Sequence, residues 1–487
     1  MYRRIFLCVP HFPGMHEWPP EPPVGIGYLA EVLEKNDFLV EIMDLRLGHS
    51  VKDLIRKINN FRPDLVGIMA MSYRHDIPYE LTRRVKEAGY KVVIGGPHVS
   101  LMRKRVLEEC VADFAIKQEG EYKLLRLCKG ESLKNIDGLI YRESDRIIEN
   151  KDGAFLADLG NIPFPRYRNF ELHLYSSGRI PIISSRGCPY SCTFCSAKMV
   201  SGRKWRYRNA KNIIDEITYW YGRGYRGFVF EDDNFSLDQQ RVLEICDLIA
   251  ENGLTGLTMS CGNGIRADRV SRDMLERMKG VGFNALAIGV EAGNNKVLKN
   301  IRKGETIEDM EKTIKDACDL GFNVRLYFLL GSPGETPQDL EDSIKLALRY
   351  PVSEAKFSNI IPFPSTELYE WLQDHNLFLV APEKYLNTTM LYDDTPVFQT
   401  PEFPLDERRK ALKRTKRIRR KIQTNYLMRS SISRFGTTAG SLLYPVVRLY
   451  LSDFFQRTRR STIFRPVWRI LVLIGDKLLG YASAFLL

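Results

Sequence analysis

Residues 186–195 read Arg-Gly-Cys-Pro-Tyr-Ser-Cys-Thr-Phe-Cys, which places three cysteines in the spacing Cys-x3-Cys-x2-Cys directly after a predicted strand. The thiolates of Cys188, Cys192 and Cys195 can fill three of the four iron positions of a 4Fe-4S cluster and leave one iron open to a substrate. A zinc site would need a fourth ligand nearby, and residues 183–209 contain no further cysteine or histidine. The spacing therefore predicts an iron-sulfur site. An incomplete zinc site and buried, unliganded cysteines are the alternatives.

The cysteines lie near the start of a long series of predicted strands and helices. Six strand-like segments occur in it, most of them followed by a polar residue or a glycine: 182–184, 227–230, 257–261, 285–290, 324–330 and 357–361. Repeated β-α order predicts parallel strands in a partial (β/α)6 barrel, with its chemistry at the carboxyl ends of the strands. We expect this barrel to span residues 181–395.

A second α/β series precedes the barrel, within residues 1–136. Amphipathic stretches separate its apolar runs, which are 5–9, 39–42, 65–70, 92–94 and 112–116. This pattern predicts a doubly wound, Rossmann-like parallel sheet, whose ligands bind at the carboxyl ends of the strands. The residues predicted at those ends include Asp44, Ser72, Gly95 and Gly96. Residues 137–180 are irregular, with two prolines at 163 and 165, and are predicted to be a linker.

Composition limits the classes of protein to consider. The chain has 487 residues, a length that suits two or three domains. Of these residues 44% are hydrophobic and 27% charged, which is typical of soluble globular proteins. An odd number of cysteines, nine, argues against a disulfide framework. The N-terminus has no small-residue cleavage site of a signal peptide, so we expect a cytoplasmic protein. The net charge of +12 is concentrated in ten basic residues within 408–421, which leaves about +2 for the rest of the chain.

The last segment, residues 396–487, is predicted to be helical. It contains the basic run and then apolar stretches at 442–451 and 467–487. On a helix, Arg469, Asp476 and Lys477 form a narrow charged stripe, and charges near the middle disfavour a membrane span. We expect this tail to dock peripherally on anionic lipid at the inner face of the membrane. A helical cap over the mouth of the barrel is the alternative.

The cysteine motif and the segments that follow it resemble the radical S-adenosylmethionine (SAM) superfamily over residues 182–364. In that family the amino and carboxylate groups of SAM bind the open iron, and one electron cleaves SAM to a 5′-deoxyadenosyl radical. The resemblance implies an electron donor such as ferredoxin or flavodoxin. It also implies a dry, closed site, because the radical abstracts hydrogen from unactivated carbon.

Two segments of the barrel resemble those that bind the methionine part of SAM in this family. Asp232 and Asp233 follow the second strand, where carboxylates would accept hydrogen bonds from the SAM ammonium group. Arg266 follows the third strand, where an arginine suits the SAM carboxylate. A helix N-cap and a surface ion pair are the corresponding alternatives.

Two later segments resemble those near the adenosine part of SAM. Glu291 follows the fourth strand and would accept hydrogen bonds from ribose hydroxyls or the SAM amino group. Gly331 and Glu335 follow the fifth strand, in a segment that resembles the one packed against adenine. Glycine permits close backbone approach to a flat ring. A structural ion pair and an ordinary turn are the alternatives.

The N-terminal domain followed by such a barrel resembles the cobalamin-binding branch of the superfamily. Segments 22–30, 63–68, 95–98 and 119–121 carry this resemblance, which implies a corrin lying across the strand ends. Cobalamin domains that ligate cobalt from below carry Asp-x-His-x-x-Gly, which is absent from this chain. The histidines near the expected face lack that context: His11, His49, His75 and His98. A Rossmann-like domain kept for substrate shape or packing is the alternative.

These features predict a radical SAM enzyme that methylates a hydrophobic small molecule, closes a ring on it or forms a carbon-carbon bond. An isoprenoid lipid or a tetrapyrrole would suit such a site. A second hypothesis is RNA modification with the basic run as a phosphate grip, although poor aromatic interleaving disfavours nucleic acid. A third is a non-catalytic, membrane-associated metal-binding protein.

Overall fold

The computed structural model describes residues 2–12, 21–388, 395–442 and 444–451. Two compact units make up the chain. Unit 1 comprises Met1–Thr258 and Ile361–Asp393, and unit 2 comprises Met259–Ile360 and Asp394–Leu487. Both units contain parallel strands with intervening helices, so the predicted α/β fold class is confirmed.

The N-terminal part of unit 1 is built around one sheet. Its strands are β1 (Arg4–Val9), β2 (Leu39–Asp44), β3 (Leu65–Met69), β4 (Val92–Gly95), β5 (Phe114–Ile116), β6 (Leu139–Glu143) and β7 (Arg146–Glu149). Its helices are α1 (Val24–Glu34), α2 (Val51–Phe61), α3 (Asp76–Glu87), α4 (Pro97–Met102), α5 (Arg105–Glu109) and α6 (Glu121–Lys129). The strand order is β2-β1-β3-β4-β5-β6-β7, and β1 to β5 are parallel. In β1 all residues after the first are buried, as in a sheet covered on both faces.

The prediction of an irregular chain from residue 137 onward is wrong for β6 and β7. These strands form an antiparallel hairpin that extends the sheet beyond β5. The two strands have only five and four residues, and several of their side chains are exposed and charged. The apolar run of β6 is confined to Leu139–Tyr141, and β7, at the edge of the sheet, has no fully buried residue.

The remainder of unit 1 carries the cysteines. Its strands are β8 (Arg179–Ile182), β9 (Ser185–Arg186), β10 (Arg206–Tyr207) and β11 (Gly227–Phe230), and its helices are α7 (Ala197–Val200), α8 (Ala210–Tyr221) and α9 (Gln239–Glu251). β8 and β11 are parallel, whereas β9 and β10 form a separate antiparallel ribbon. The cysteine loop therefore starts at the end of β9.

Unit 2 continues the β-α series. Its strands are β12 (Thr258–Ile265), β13 (Phe283–Glu291), β14 (Asn323–Leu330) and β15 (Glu354–Asn359), and its helices are α10 (Arg272–Gly280), α11 (Asn295–Asn300), α12 (Ile307–Asp319) and α13 (Pro337–Arg349). All four strands are parallel in chain order. Unit 1 holds two parallel strands of this series, β8 and β11, and unit 2 holds four, which matches the number of strands that the sequence predicted.

The end of the chain is helical in the described residues. Two helices belong to unit 1, α14 (Glu367–Asp374) and α15 (Pro382–Thr388); three belong to unit 2, α16 (Leu405–Phe435), α17 (Thr437–Ser441) and α18 (Tyr444–Tyr450). Part of the basic run packs against unit 2. Arg408 is buried, Arg414 pairs with Glu341, and Arg419 donates to Glu354 at 2.6 Å.

The tail docking hypothesis depends mainly on residues 467–487, which lie outside the described residues. No helix in the described part of the chain is long and apolar enough to cross a membrane. Because Arg408, Arg414 and Arg419 engage the protein itself, the basic run does not form one continuous solvated cationic surface.

Candidate cofactor sites

Backbone hydrogen bonds hold the cysteine loop in unit 1. The Gly187 N–H donates to Asp233 Oδ2 at 3.0 Å, and the Cys188 N–H donates to the Gly202 carbonyl at 3.1 Å. The Cys195 N–H donates to the Cys192 carbonyl at 3.2 Å. Gly187 has φ +87°, and a Cβ there would collide with the Lys204 carbonyl, so this position requires glycine. The loop thus has a defined path from β9 to α7.

The other two cysteines act electrostatically on the Cys195 thiol. Burial is the main cause that raises the pKa of Cys195 to about 12, and Cys192 and Cys188 raise it further. In the described residues, no three His, Cys, Asp or Glu side chains are arranged around a single metal ion. A 4Fe-4S cluster has four irons, and each thiolate binds a different one, so the three sulfurs need not converge on a point. The donor set therefore fits a cluster with one open iron.

The carboxylates after β11 differ in environment. Asp232 is fully buried, and it accepts hydrogen bonds from the Ser184 N–H at 2.6 Å and the Ser185 hydroxyl at 2.8 Å. Burial raises its pKa, and Arg241 at 3.9 Å opposes that effect. Asp233 is exposed and lines a cavity. Of the two predicted residues, Asp233 is therefore the one that is open to a ligand.

Asn234, which the sequence analysis did not select, lies directly beyond Asp233. Its side chain is buried, and neither its amide oxygen nor its amide nitrogen has a hydrogen-bond partner among the described residues. A buried amide without partners is costly, so such a group is often satisfied by a ligand or water. Asn234 stands next to Asp233 in the same polar segment after β11, so the sequence pattern that selected the two aspartates could also have selected Asn234.

In unit 2, Arg266 and Glu291 meet through Lys303. Arg266 donates to the carbonyls of Lys303 and Gly304, each at 2.9 Å. The Lys303 ammonium group lies 3.1 Å from Glu291 Oε1. Glu291 has φ +65°, a left-handed conformation that is strained for a residue with a side chain. The structure thus brings Arg266 and Glu291 into one network of charged side chains, and the strained backbone of Glu291 ends β13.

Gly331 and Glu335 form one closed loop after β14. Glu335 Oε2 accepts hydrogen bonds from the Gly331 N–H at 2.7 Å and the Ser332 N–H at 2.9 Å. Burial raises the pKa of Glu335 to about 7 despite these bonds. Gly331 has φ +96°, and the Arg408 guanidinium occupies the space that a Cβ would need. Both residues therefore have demonstrable structural roles in the loop.

A cavity of about 300 Å³ lies at the carboxyl ends of β1, β3, β4 and β5 in unit 1. Gly95 and Gly96 line it, as do Asp233 and Arg186 from the segments that flank the cysteines. Its walls are mostly apolar, with Leu7, Ile26, Ile68, Val93 and Ile116 among them. One cavity is thus lined both by residues predicted to bind a corrin and by residues next to the cysteine loop.

Asp44 and Ser72 do not line this cavity. Asp44 is buried, and it accepts hydrogen bonds from the Arg46 guanidinium, the nearest at 2.6 Å, and from the Tyr175 hydroxyl at 2.9 Å. The Ser72 hydroxyl lies 3.4 Å from His98 Nδ1. Both side chains therefore have partners within the protein.

The histidines after β3 and β4 form a buried stack. The rings of His75 and His98 are 4.5 Å apart with an interplanar angle of 17°. Burial, and secondarily His75, lowers the pKa of His98 to about 3, so this ring is neutral at ordinary pH. His98 Nε2 lies 2.9 Å from the Tyr79 hydroxyl. With Ser72 near its other nitrogen, His98 is held in the protein core rather than directed at the cavity.

Four charged residues that were not predicted as site residues line the same cavity: Glu119, Glu121, Arg186 and Glu231. Arg186 stands two residues before Cys188, and Glu119 and Glu121 flank Gly120 after β5. The Glu-Gly-Glu segment was visible in the sequence as part of the cobalamin-domain pattern. Its pairing with Arg186 was not, because the partners are 65 and 67 residues apart.

Comparison with known proteins gives two family matches. A model described as the radical SAM superfamily matches residues 182–347, and one described as the B12 binding domain matches residues 19–127. An uncharacterized methyltransferase of Pyrococcus horikoshii is 30% identical over 369 residues, which cover 74% of this chain and 80% of that protein. An anaerobic magnesium-protoporphyrin IX monomethyl ester cyclase of Cereibacter sphaeroides is 26% identical over 376 residues, covering 72% of this chain and 60% of the cyclase.

A solved structure has the same fold. It is the cobalamin-dependent S-adenosylmethionine radical enzyme OxsB with aqua-cobalamin and S-adenosylmethionine bound, which is similar with a TM-score of 0.73. The match covers 99% of this chain and 77% of that chain at 16% sequence identity. At this identity the likeness establishes the fold alone.

Proposed function

Because the chain belongs to the radical SAM superfamily, in the branch with an N-terminal B12-binding domain, we propose that it is a methyltransferase acting on a hydrophobic substrate. It is an enzyme whose cofactors are a 4Fe-4S cluster, SAM and cobalamin. The name of the Pyrococcus horikoshii relative favours methylation, and that of the Cereibacter sphaeroides relative makes ring closure the second candidate.

One observation carries this proposal. The cavity at the strand ends of the B12-binding sheet is also lined by Arg186 and Asp233, which adjoin the cysteine loop. Asp233 accepts a hydrogen bond from Gly187, the residue before Cys188. A corrin in this cavity would therefore lie next to the loop that carries the cluster, which suits two cofactors that serve one reaction.

The cavity has features that fit a corrin. An added Cβ at Gly25 would meet no atom within 4 Å, and one at Gly95 would meet only the Ile116 carbonyl at 3.9 Å. Larger side chains at these two positions would therefore project into space that the protein leaves open. Apolar walls suit a large flat macrocycle, and the absence of side chains at the glycines allows it to approach the backbone.

We assign the remaining roles to the residues that the sequence predicted. Cys188, Cys192 and Cys195 would ligate the cluster, and Asp233 would accept hydrogen bonds from the SAM ammonium group. Arg266 would bind the SAM carboxylate and Glu291 the ribose hydroxyls or the SAM amino group. Lys303 joins these two residues in one network. Cobalamin supplies methyl transfer to carbon, and reductively cleaved SAM supplies hydrogen abstraction. The protein's own contribution is to hold these groups in place and to exclude water.

The substrate proposed is hydrophobic, of the isoprenoid or tetrapyrrole type, with ferredoxin or flavodoxin as electron donor. The tetrapyrrole named in the cyclase relative supports this class. Docking of the tail on anionic lipid remains part of this proposal, because it would bring the enzyme to a lipid-soluble substrate.

The test uses anaerobically purified protein from cells supplied with cobalamin. We expect bound iron and sulfide, a corrin absorption spectrum and, with dithionite and SAM, both 5′-deoxyadenosine and S-adenosylhomocysteine. The second product reports loss of the SAM methyl group. Formation of 5′-deoxyadenosine without any S-adenosylhomocysteine would favour ring closure over methylation.

A cysteine variant supplies the control for cluster assignment. Changing Cys188, Cys192 and Cys195 together to alanine should abolish iron binding and both SAM products. Cys318→Ala alters another half-buried cysteine and should retain them. Wild-type protein without iron, or a triple variant that keeps its full iron content, would contradict the assignment.

A further inference from the structure

The cysteine loop starts on a ribbon that is separate from the larger sheets. In the residues that the structure describes, β9 pairs with β10 alone, through Arg186 opposite Arg206 and Ser185 opposite Tyr207. Two register pairs provide few backbone hydrogen bonds, and isolated two-stranded hairpins are only marginally stable. Side chains must therefore contribute to fixing the position of the loop.

Four charged side chains of this ribbon and the Gly120 segment form what we call the Glu119 network: Glu119, Glu121, Arg186 and Arg206. Arg186 donates to Glu121 at 2.6 Å and to Glu119 at 3.2 Å. Arg206 donates to the two oxygens of Glu119 at 2.8 and 3.0 Å. None of the four side chains is more than 12% exposed. The network therefore connects β9 and β10 to the segment after β5.

The charges of the Glu119 network balance, with two carboxylates and two guanidinium groups. Burial is the largest influence on Glu121 and raises its pKa, but Arg186, a backbone N–H and Lys123 together bring the pKa below its usual range. Each carboxylate is thus paired with a guanidinium group. Desolvation offsets much of the attraction within a buried ion pair, so we assign this network to fixing one arrangement of the loop rather than to adding net stability.

The Glu119 network also reaches the cavity. Arg186, Glu119 and Glu121 all line it, and the Arg186 guanidinium lies 5.1 Å from the centre of the Tyr28 ring. Only Gly187 separates Arg186 from Cys188. The ion pairs of Arg186 therefore hold the chain two residues before the first cysteine.

We propose that the Glu119 network positions the cysteine loop against the corrin cavity, with Arg186 as its central positioning residue. This inference rests on the proposed function, since it takes the cavity as the corrin site and the three cysteines as cluster ligands. Arg186 sets the separation and orientation of the two cofactors, beside the apolar walls and glycines that would hold the corrin and the three cysteines that would ligate the cluster.

The experiment measures the distance between the cofactors in the holoenzyme. The reduced cluster and the Co(II) form of cobalamin are both paramagnetic, so pulsed electron paramagnetic resonance reports their separation. Wild type should give one narrow distance. Arg186→Gln should lose it and give a broad distribution, with corrin absorbance and iron content retained. Arg186→Lys keeps the charge and one donor group, and should recover part of the narrow component.

Two further variants make the result decisive. Arg186→Gln leaves Glu121 without its charge partner, so the neutral double variant R186Q/E121Q serves if the single variant does not fold. The control is K86Q/D113N, which removes a 2.7 Å ion pair of unit 1 whose residues do not line the cavity; it should keep the wild-type distance. A wild-type distance in the Arg186 variants would overturn the inference. Wild-type protein without cluster or corrin would instead overturn the proposed function.

Discussion

Glu335→Gln should remove a large pH dependence from the stability of the protein. Burial raises the pKa of Glu335 from 4.5 to about 7, and the folded protein therefore keeps a proton that the unfolded chain releases. Stability must fall as the pH rises through this window, because the folded state binds more protons there than the unfolded state. At about 1.4 kcal/mol for each pH unit, Glu335 lowers the free energy of unfolding by roughly 3 kcal/mol between pH 4.5 and 7.

The glutamine variant tests this reasoning because it keeps the acceptor oxygen for the Gly331 and Ser332 N–H groups but carries no charge. Urea unfolding followed by circular dichroism at about pH 5 and about pH 8 gives the stability difference between variant and wild type. This difference should grow in favour of the variant by roughly 3 kcal/mol over that range. Glu276→Gln, at an exposed position of unit 2, should keep the wild-type pH dependence. A difference for Glu335→Gln that stays constant with pH would refute the argument.

Two further substitutions test the cavity and the C-terminal helix. Gly95→Val places two methyl groups in the open cavity and should weaken cobalamin binding on the order of tenfold. The melting temperature of the protein should not change. Full corrin absorbance in the purified variant would place the corrin elsewhere. Arg408→Met leaves the carbonyls of Gly331, Phe398 and Phe403 without their donor. It should lower the free energy of unfolding in urea by about 3 to 5 kcal/mol. The control Lys410→Met, at an exposed position, should lower it by less than about 0.5 kcal/mol.

Several features of the fold were predictable from the sequence because they follow from local patterns. Buried parallel strands such as β1 and β4 read as short apolar runs, and the family resemblance, fold class and cofactors are confirmed. The roles of the individual site residues remain predictions. Among them, Gly95 and Asp233 line the cavity, whereas Asp44 and Asp232 are engaged by partners within the protein.

Other features could not be predicted, because they depend on contacts between residues far apart in the chain. Arg408 reads as one member of a basic run, yet its guanidinium is buried and donates to Gly331, 77 residues earlier. Arg186 likewise meets Glu121 across 65 residues. No periodicity or spacing reveals which charge in a run will find a partner in the folded chain. The edge hairpin of β6 and β7 escaped detection for a related reason, since its strands are short and partly charged.

The packing of α16 determines where the enzyme can be shortened. Its side chains Ala411 and Leu412 cover Leu330, Leu340 and Ile344, and Arg419 and Gln423 bond the buried Glu354. Ending the protein before Leu405 would therefore expose an apolar surface and remove two of the partners of Glu354 on β15. We expect such a protein to aggregate. A protein ending just beyond Phe435 would keep these contacts but lose Val447 and Leu451, which pack against the buried Leu427, so a truncated enzyme meant for crystallisation or spectroscopy should retain the chain through Leu451.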